Sequence, residues 1–277
     1  MSAFKVTHAL GPSAIQDLGR PGFLMQCLPR GGVLAPRMLR ALNESLGNQA
    51  NAPALEIFGQ LELRALTPAM LCCDGEQPTV LAQDEVFRVN AGDRRFRLLA
   101  ARGGFHASIV FGGRGLLPSA KIGGQFGRWL QVGDALQVGQ MFQQPLQEPT
   151  QEQILNSSSM RVPPQIKITI LPGPHASRLC NLAALTETNW IIDAQSDRTG
   201  LRLRGESLAL HPSNEGSPSF PMIAGAIQIP PDGQPVVLGP DHPVSGGYPV
   251  VAVVHSSALA AIFSLPLRSE VGFEFLR

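Results

Sequence analysis

Three polar clusters hold the residue types through which this chain could act on a small molecule. Gln16-Asp17-Leu18-Gly19-Arg20-Pro21-Gly22 and Gln195-Ser196-Asp197-Arg198-Thr199-Gly200 each set an amide, a carboxylate and a guanidinium within a few residues of one another. A guanidinium fork can hold a carboxylate or phosphate through two parallel N–H bonds, and Asp or Gln side chains can receive or orient an amide N–H. The first cluster has a structural alternative, an Asp that pairs with an Arg three residues on and pins a turn; the second leaves the same two readings open. The third cluster runs from Gly225 to Asp241 and on through Ser245-Gly246-Gly247-Tyr248-Pro249, and it offers the Gln228 amide. Gly246 and Gly247 permit positive φ or close approach of the backbone to a ligand. Tyr248 is the sole tyrosine, and its phenol can meet a ligand or cap a core with the hydroxyl at the rim.

Short strands must position these groups. The chain has 277 residues with 29 Gly and 24 Pro and is 44% hydrophobic, so turns are frequent and a sizeable core is available. Charged residues make up only 16%, against about 25% in an average globular chain, which argues against long solvated helices. Apolar or alternating runs bounded by Gly and Pro lie at 70–73, 86–89, 96–100, 166–171, 201–203, 226–229, 236–238 and 250–254. A polar, Pro-interrupted stretch over 146–165 reads as a linker between two β-rich halves, 1–145 and 166–277. Helices are few. Met38, Leu39, Leu42 and Leu46 recur at helical spacing between Pro36 and Gly47; Leu179, Leu182 and Leu185 mark a second candidate over about 175–185. A third begins near Ser257 and ends before Pro266.

Several function classes lose their support. Net charge is +1 with no basic run interleaved with aromatics, so nucleic acid is not expected as a partner. No apolar run reaches about 18 residues and no signal-like segment follows Met1, so no membrane contact is expected and the chain reads as cytoplasmic. The six histidines form no ligand-spaced pair and Cys27, Cys72, Cys73 and Cys180 lack zinc spacing, so no metal is expected and the thiols read as buried and reduced. Neither a lysine-bearing phosphate loop nor a G-x-S-x-G elbow is present. Gly112-Gly113-Arg114-Gly115 and Gly123-Gly124-Gln125-Phe126-Gly127 could wrap an anion with backbone N–H groups, although such glycines serve turns more often.

Read in order, the clusters resemble one family. Gln16–Gly22, Leu46-Gly47-Asn48, Ala54-Leu55-Glu56, Gly127-Arg128-x-Leu130-x-x-Gly133-Asp134-x-Leu136, Leu171-Pro172-Gly173-Pro174, Gln195–Gly200, Gly225–Leu238 and Gly246–Pro249 are similar to the carboxyltransferase-type proteins. That family includes allophanate hydrolase subunit 2, the C component of 5-oxoprolinase and the carboxyltransferase domain of urea carboxylase. The resemblance implies a mainly β fold, two β-rich subdomains of cyclophilin-like barrel character with a few short helices. It also implies a partner, a second carboxyltransferase-type chain like the B component of 5-oxoprolinase, with a third, lactam-binding chain as a further candidate. The 5-oxoprolinase version opens the lactam of 5-oxoproline to glutamate with ATP hydrolysed in the complex; the urea carboxylase version moves a carboxyl group from carboxybiotin to urea. Lys5, Lys121 and Lys167 are the only lysines and none sits in a Met-Lys-Met hairpin, so no biotin is attached to this chain. The 5-oxoprolinase type is therefore the favoured reading, with a carboxyltransferase component or a regulatory partner protein as alternatives.

For lactam opening, Arg20 or Arg198 would bind the substrate carboxylate and Asp17 or Asp197 would orient or exchange a proton with the ring N–H or a water. Gln195 and Gln228 would fix the carbonyl. Gln16, Ser196, Gly246, Gly247 and Tyr248 complete the expected substrate contacts. Three loops depart from the family pattern. Gly31–Ala35 lacks a hydroxyl and a carboxylate, Gly112–Leu116 lacks three hydroxyls, and His242–Ser245 replaces a Gln-Thr-Thr element.

Overall fold

The computed structural model describes residues 2–139, 166–212 and 218–276. The expected linker over 146–165 lies outside these residues. The protein is mainly β and falls into two compact units. Residues up to and including Gly22, and those from Gly31 to the end of the N-terminal half, form the first; residues 23–30 group with the C-terminal half as the second. This excursion begins and ends on glycines in the left-handed region, Gly22 at φ 91°, Gly31 at φ 62° and Gly32 at φ 86°. A Cβ on Gly32 would lie 2.9 Å from the Asp17 carbonyl oxygen, so the returning chain can close on the Asp17 turn only without a side chain.

In the first unit β1 (Ser2–Leu10), β2 (Ser13–Gln16), β3 (Ala54–Ile57), β4 (Gln60–Ala65), β5 (Ala69–Cys73), β6 (Thr79–Leu81), β7 (Val86–Asn90), β8 (Arg97–Ala101) and β9 (Ala135–Gln137) form two sheets. Their strand orders are β7-β4-β1-β9 and β2-β3-β8-β5-β6. Alternation in β4 sends Leu61, Leu63 and Ala65 into a core shared with Phe4, Val6, Ile15 and Leu99. Helix α1 (Pro36–Ser45) starts on its proline and buries Leu39 and Leu42. It packs on β8 and β5.

In the second unit β10 (Ile166–Pro172), β11 (Trp190–Ile192), β12 (Gly200–Arg204), β13 (Phe220–Pro221), β14 (Ala226–Gln228), β15 (Val236–Leu238), β16 (Ser245–Gly246), β17 (Val250–Val254) and β18 (Glu270–Phe275) appear. Seven of them close a barrel, β10-β17-β14-β15-β12-β11-β18, sealed by the parallel pairing of β18 with β10. The helix expected over 175–185 is broken into a 3₁₀ turn (Ala176–Arg178) and a short α2 (Ala184–Glu187). Its middle is captured elsewhere, since Leu179 bridges Leu210 and Cys180 N–H donates to the Ala209 carbonyl. Helix α3 (Leu259–Ser264) buries Ile262 and Phe263 and stops ahead of Pro266.

Only half of the thiols are buried. Cys72 and Cys73, at the end of β5, are inside, whereas Cys27 and Cys180 are exposed because each sits in an irregular segment rather than in a strand. Burial pushes both the Cys72 and Cys73 thiols above their ordinary value. A disulfide reagent is therefore expected to label two thiols per native chain and four after unfolding; a native count of four would refute the buried pair.

Candidate functional site

The first cluster is built at the end of β2. Gln16 is fully buried and its Nε2 donates to the Leu116 carbonyl at 2.9 Å. Asp17 Oδ1 accepts the N–H groups of Gly19 and Gly115 at 2.9 and 3.2 Å, and Oδ2 accepts that of Arg114 at 2.7 Å. Arg20 is 1% exposed and donates to the Gly115 carbonyl at 2.5 Å. A Cβ at Gly115 would run into Gln16 Oε1, and one at Gly123 into the Gly115 carbonyl, so glycine is what lets these loops close over the cluster. The N–H groups of Gly113, Gly115, Gly124 and Gly127 are already donated to Val110, Asp17, Arg114 and Gly123. With the Arg114 N–H also on Asp17, five of the nine N–H groups of the two glycine-rich loops are closed to a phosphate.

Glu56, which the sequence reading carries only within the Ala54-Leu55-Glu56 motif and gives no role, has its β3 carboxylate 1% exposed and accepting the Leu34 N–H at 2.7 Å. With Val33 N–H donating to the Asp17 carbonyl at 2.8 Å, it holds the altered Gly31–Ala35 segment. A lone Glu inside the apolar run Ala54-Leu55-Glu56-Ile57 was the available signal.

The second and third clusters meet on the second unit's barrel. Asp197 Oδ1 accepts the Thr199 and Gly200 N–H groups at 2.7 and 3.2 Å, shaping the turn into β12. Arg198 is 5% exposed, and its fork is committed to Asp241 at 2.8 Å from Nε and 3.0 Å from an NH2 group. Main-chain bonds from Gly239 to Thr199 and from Asp241 to Arg198 tie the same two loops together. Ser196 Oγ bonds the Arg202 main chain, and Gln195 is exposed with its N–H on Asp193. In the altered third loop His242 is buried with Nδ1 2.8 Å from the Pro243 carbonyl.

A cavity of about 360 Å³ opens beside these turns, lined among others by Asp197, Arg202, Gln228, Asp232, Pro243 and Tyr248. Its size suits a small molecule. Gln228 is 7% exposed and its Nε2 donates to the Tyr248 carbonyl at 3.3 Å, while the Tyr248 ring itself is half exposed. Gly246 is not in the left-handed region; its role is close approach, since a Cβ there would lie 3.1 Å from Gln228 Nε2. Asp197, Gln228 and Tyr248 thus share one cavity, whereas Gln16, Asp17 and Arg20 belong to the first unit. Arg202 was missed, although the alternation Gly200-Leu201-Arg202-Leu203-Arg204 places both arginines on one face of a strand. Among the described residues no group of three His, Cys, Asp or Glu could hold a metal, and no helix is long and apolar enough to cross a membrane.

Residues 26–275 match the family described as carboxyltransferase domain, subdomain A and B. The chain belongs to this carboxyltransferase family. It is 30% identical to the C component of the 5-oxoprolinase of Escherichia coli, over 97% of this chain and 90% of that protein. It is 27% identical to urea amidolyase of Lachancea kluyveri, over 93% of this chain but 16% of that one. The crystal structure of the K. lactis urea amidolyase superimposes with a TM-score of 0.84 at 26% identity, covering 99% of this chain and 19% of that chain. The resemblance read from the motifs and the mainly β architecture are both borne out. These carboxyltransferase relatives are parts of enzymes, which places this chain in an enzyme-related role.

Proposed function

We propose that this chain is a subunit of a 5-oxoprolinase-type enzyme, working with a second carboxyltransferase-type chain to open the lactam of 5-oxoproline in a reaction coupled to ATP hydrolysis. The reading is supported above all by the extent of its likeness to the 5-oxoprolinase C component, which spans 90% of that relative, against 16% of urea amidolyase. The second unit's cavity would be the part of the site this chain supplies, with Asp197 and Gln228 facing the amide and Tyr248 at the rim. Arg198 would act as a positioning residue, since its fork joins the two loops that wall the cavity. The commitment of five of the nine N–H groups in the glycine-rich loops to the fold favours ATP binding elsewhere in the complex.

Co-purification with the partner chain, followed by an assay of ADP release with and without 5-oxoproline and with a lactam-binding chain added, tests the reading. Release that depends on 5-oxoproline and falls at least tenfold in Asp197→Asn is expected. A stable complex without such release would favour a regulatory partner protein, a role compatible with the altered loops Gly31–Ala35, Gly112–Leu116 and His242–Ser245.

A further inference from the structure

The ladder register of the barrel aligns three residues in one row. Arg202 on β12 faces Val236 on β15, and Val236 faces Gln228 on β14. The neighbouring row, Leu201, Val237 and Ile227, is fully buried and points the opposite way, into the barrel. Arg202, Val236 and Gln228 therefore form a strip of cavity floor. At about 4.8 Å between strands, the two polar ends stand about 10 Å apart at their Cα atoms. Gly200, beside this strip, keeps it open, because a Cβ there would lie 3.0 Å from Val236 Cγ1.

The charges lining this cavity are unequally engaged. Arg204 is held by Asp193 at 2.7 Å and faces Asp232 at 3.9 Å. Asp197 is occupied by the N–H groups of its own turn, and Asp232 accepts the Gln234 N–H at 3.1 Å. The Arg202 guanidinium lies within electrostatic reach of Asp193, whose carboxylate is already bonded to Arg204, and makes no side-chain hydrogen bond or close ion pair among the described residues. Gln228 is buried, its NH₂ is taken by Tyr248, and its Oε1 has no partner among the described residues. The cavity thus presents one open cationic fork and one open amide acceptor at opposite ends of an apolar strip.

We propose that Arg202 and Gln228 form the two ends of a binding site for a short acid amide, with Arg202 taking the carboxylate and Gln228 Oε1 accepting the amide N–H. A monoanion suits the site better than a phosphate dianion, because the carboxylates of Asp197 and Asp232 share the same walls. The proposal deepens the reading of this cavity as the ligand site and moves the carboxylate clamp from Arg20 or Arg198, both buried, to Arg202.

Calorimetric titration of the full chain in complex with its partner tests it, with 5-oxoproline, succinamate and 2-pyrrolidinone as probes. The last keeps a lactam N–H but has no carboxylate. Both acids are expected to bind the wild-type complex, and Arg202→Gln to weaken both by about tenfold or more, as loss of a charged hydrogen bond does. Binding of 2-pyrrolidinone should be unmoved by Arg202→Gln and weakened by Gln228→Leu, and Arg202→Lys should restore part of the acid affinity. The proposal is overturned if neither acid binds, or if Arg202→Gln binds them as tightly as wild type. Two outcomes separate it from the functional reading. Arg202-dependent succinamate binding without 5-oxoproline-dependent ADP release keeps the site and removes the oxoprolinase assignment. Turnover with an unchanged KM for 5-oxoproline in Arg202→Gln does the reverse.

Discussion

Asp17→Ala will destabilise the first unit by about 3 kcal/mol or more, because three N–H donors lose their acceptor at once and each buried unsatisfied donor costs about 1–3 kcal/mol. The donors are Gly19, Arg114 and Gly115, and the loop carrying the last two closes over Gln16 and Arg20. Asp17→Asn keeps one acceptor oxygen and should recover part of the loss. Chemical denaturation reads this directly, as a lower midpoint at unchanged slope. A catalytic Asp17 predicts the opposite pattern, near-native stability with turnover abolished, and that result would return the residue to the chemistry the motif allowed.

Removing Asp241 should have a comparable or larger effect in the second unit. Its carboxylate is 8% exposed and receives both arms of the Arg198 fork, so Asp241→Ala leaves a guanidinium buried without this counter-charge. Breaking one side of a buried pair costs about 3–5 kcal/mol, whereas replacing both partners by apolar residues of similar volume is often neutral. Arg198→Met combined with Asp241→Leu is therefore expected to unfold close to wild type while Asp241→Ala alone unfolds early. The double variant also decides the role of Arg198. If Arg198 positions the loops, turnover in the assembled complex survives in proportion to retained structure. If Arg198 instead held the substrate carboxylate, the double variant would be stable and inactive, and the clamp would not lie at Arg202.

Much of the scaffold was legible because burial and periodicity are local properties. The run Val250–Val254 is a strand buried at four of its five positions, and Pro36 and Gly47 bracket a helix whose apolar residues recur at helical spacing. The stretch 175–185 was misread for a non-local reason. Leucines at every third position satisfy a helical pattern, but Leu179 and Cys180 gain pairing partners at 209–210 that only the folded chain supplies. Exposure of Cys27 and Cys180 was hidden likewise, since a cysteine carries no sequence mark of the side on which it will lie.

The sequence by itself determined that the chain is mainly β, which family it belongs to, and which polar clusters merit attention. Residue type and order carry those facts. The tertiary structure decided how the polar groups are used. Arg198 and Arg202 are four residues apart and chemically identical, yet one is buried on Asp241 and the other stands on the open face of β12. The distinction arises because the strands that pair beside β12 and the loop carrying Asp241 come from segments well downstream in the chain. A side chain's freedom to bind is set by the neighbours that reach it, and those neighbours are assigned only when the barrel closes.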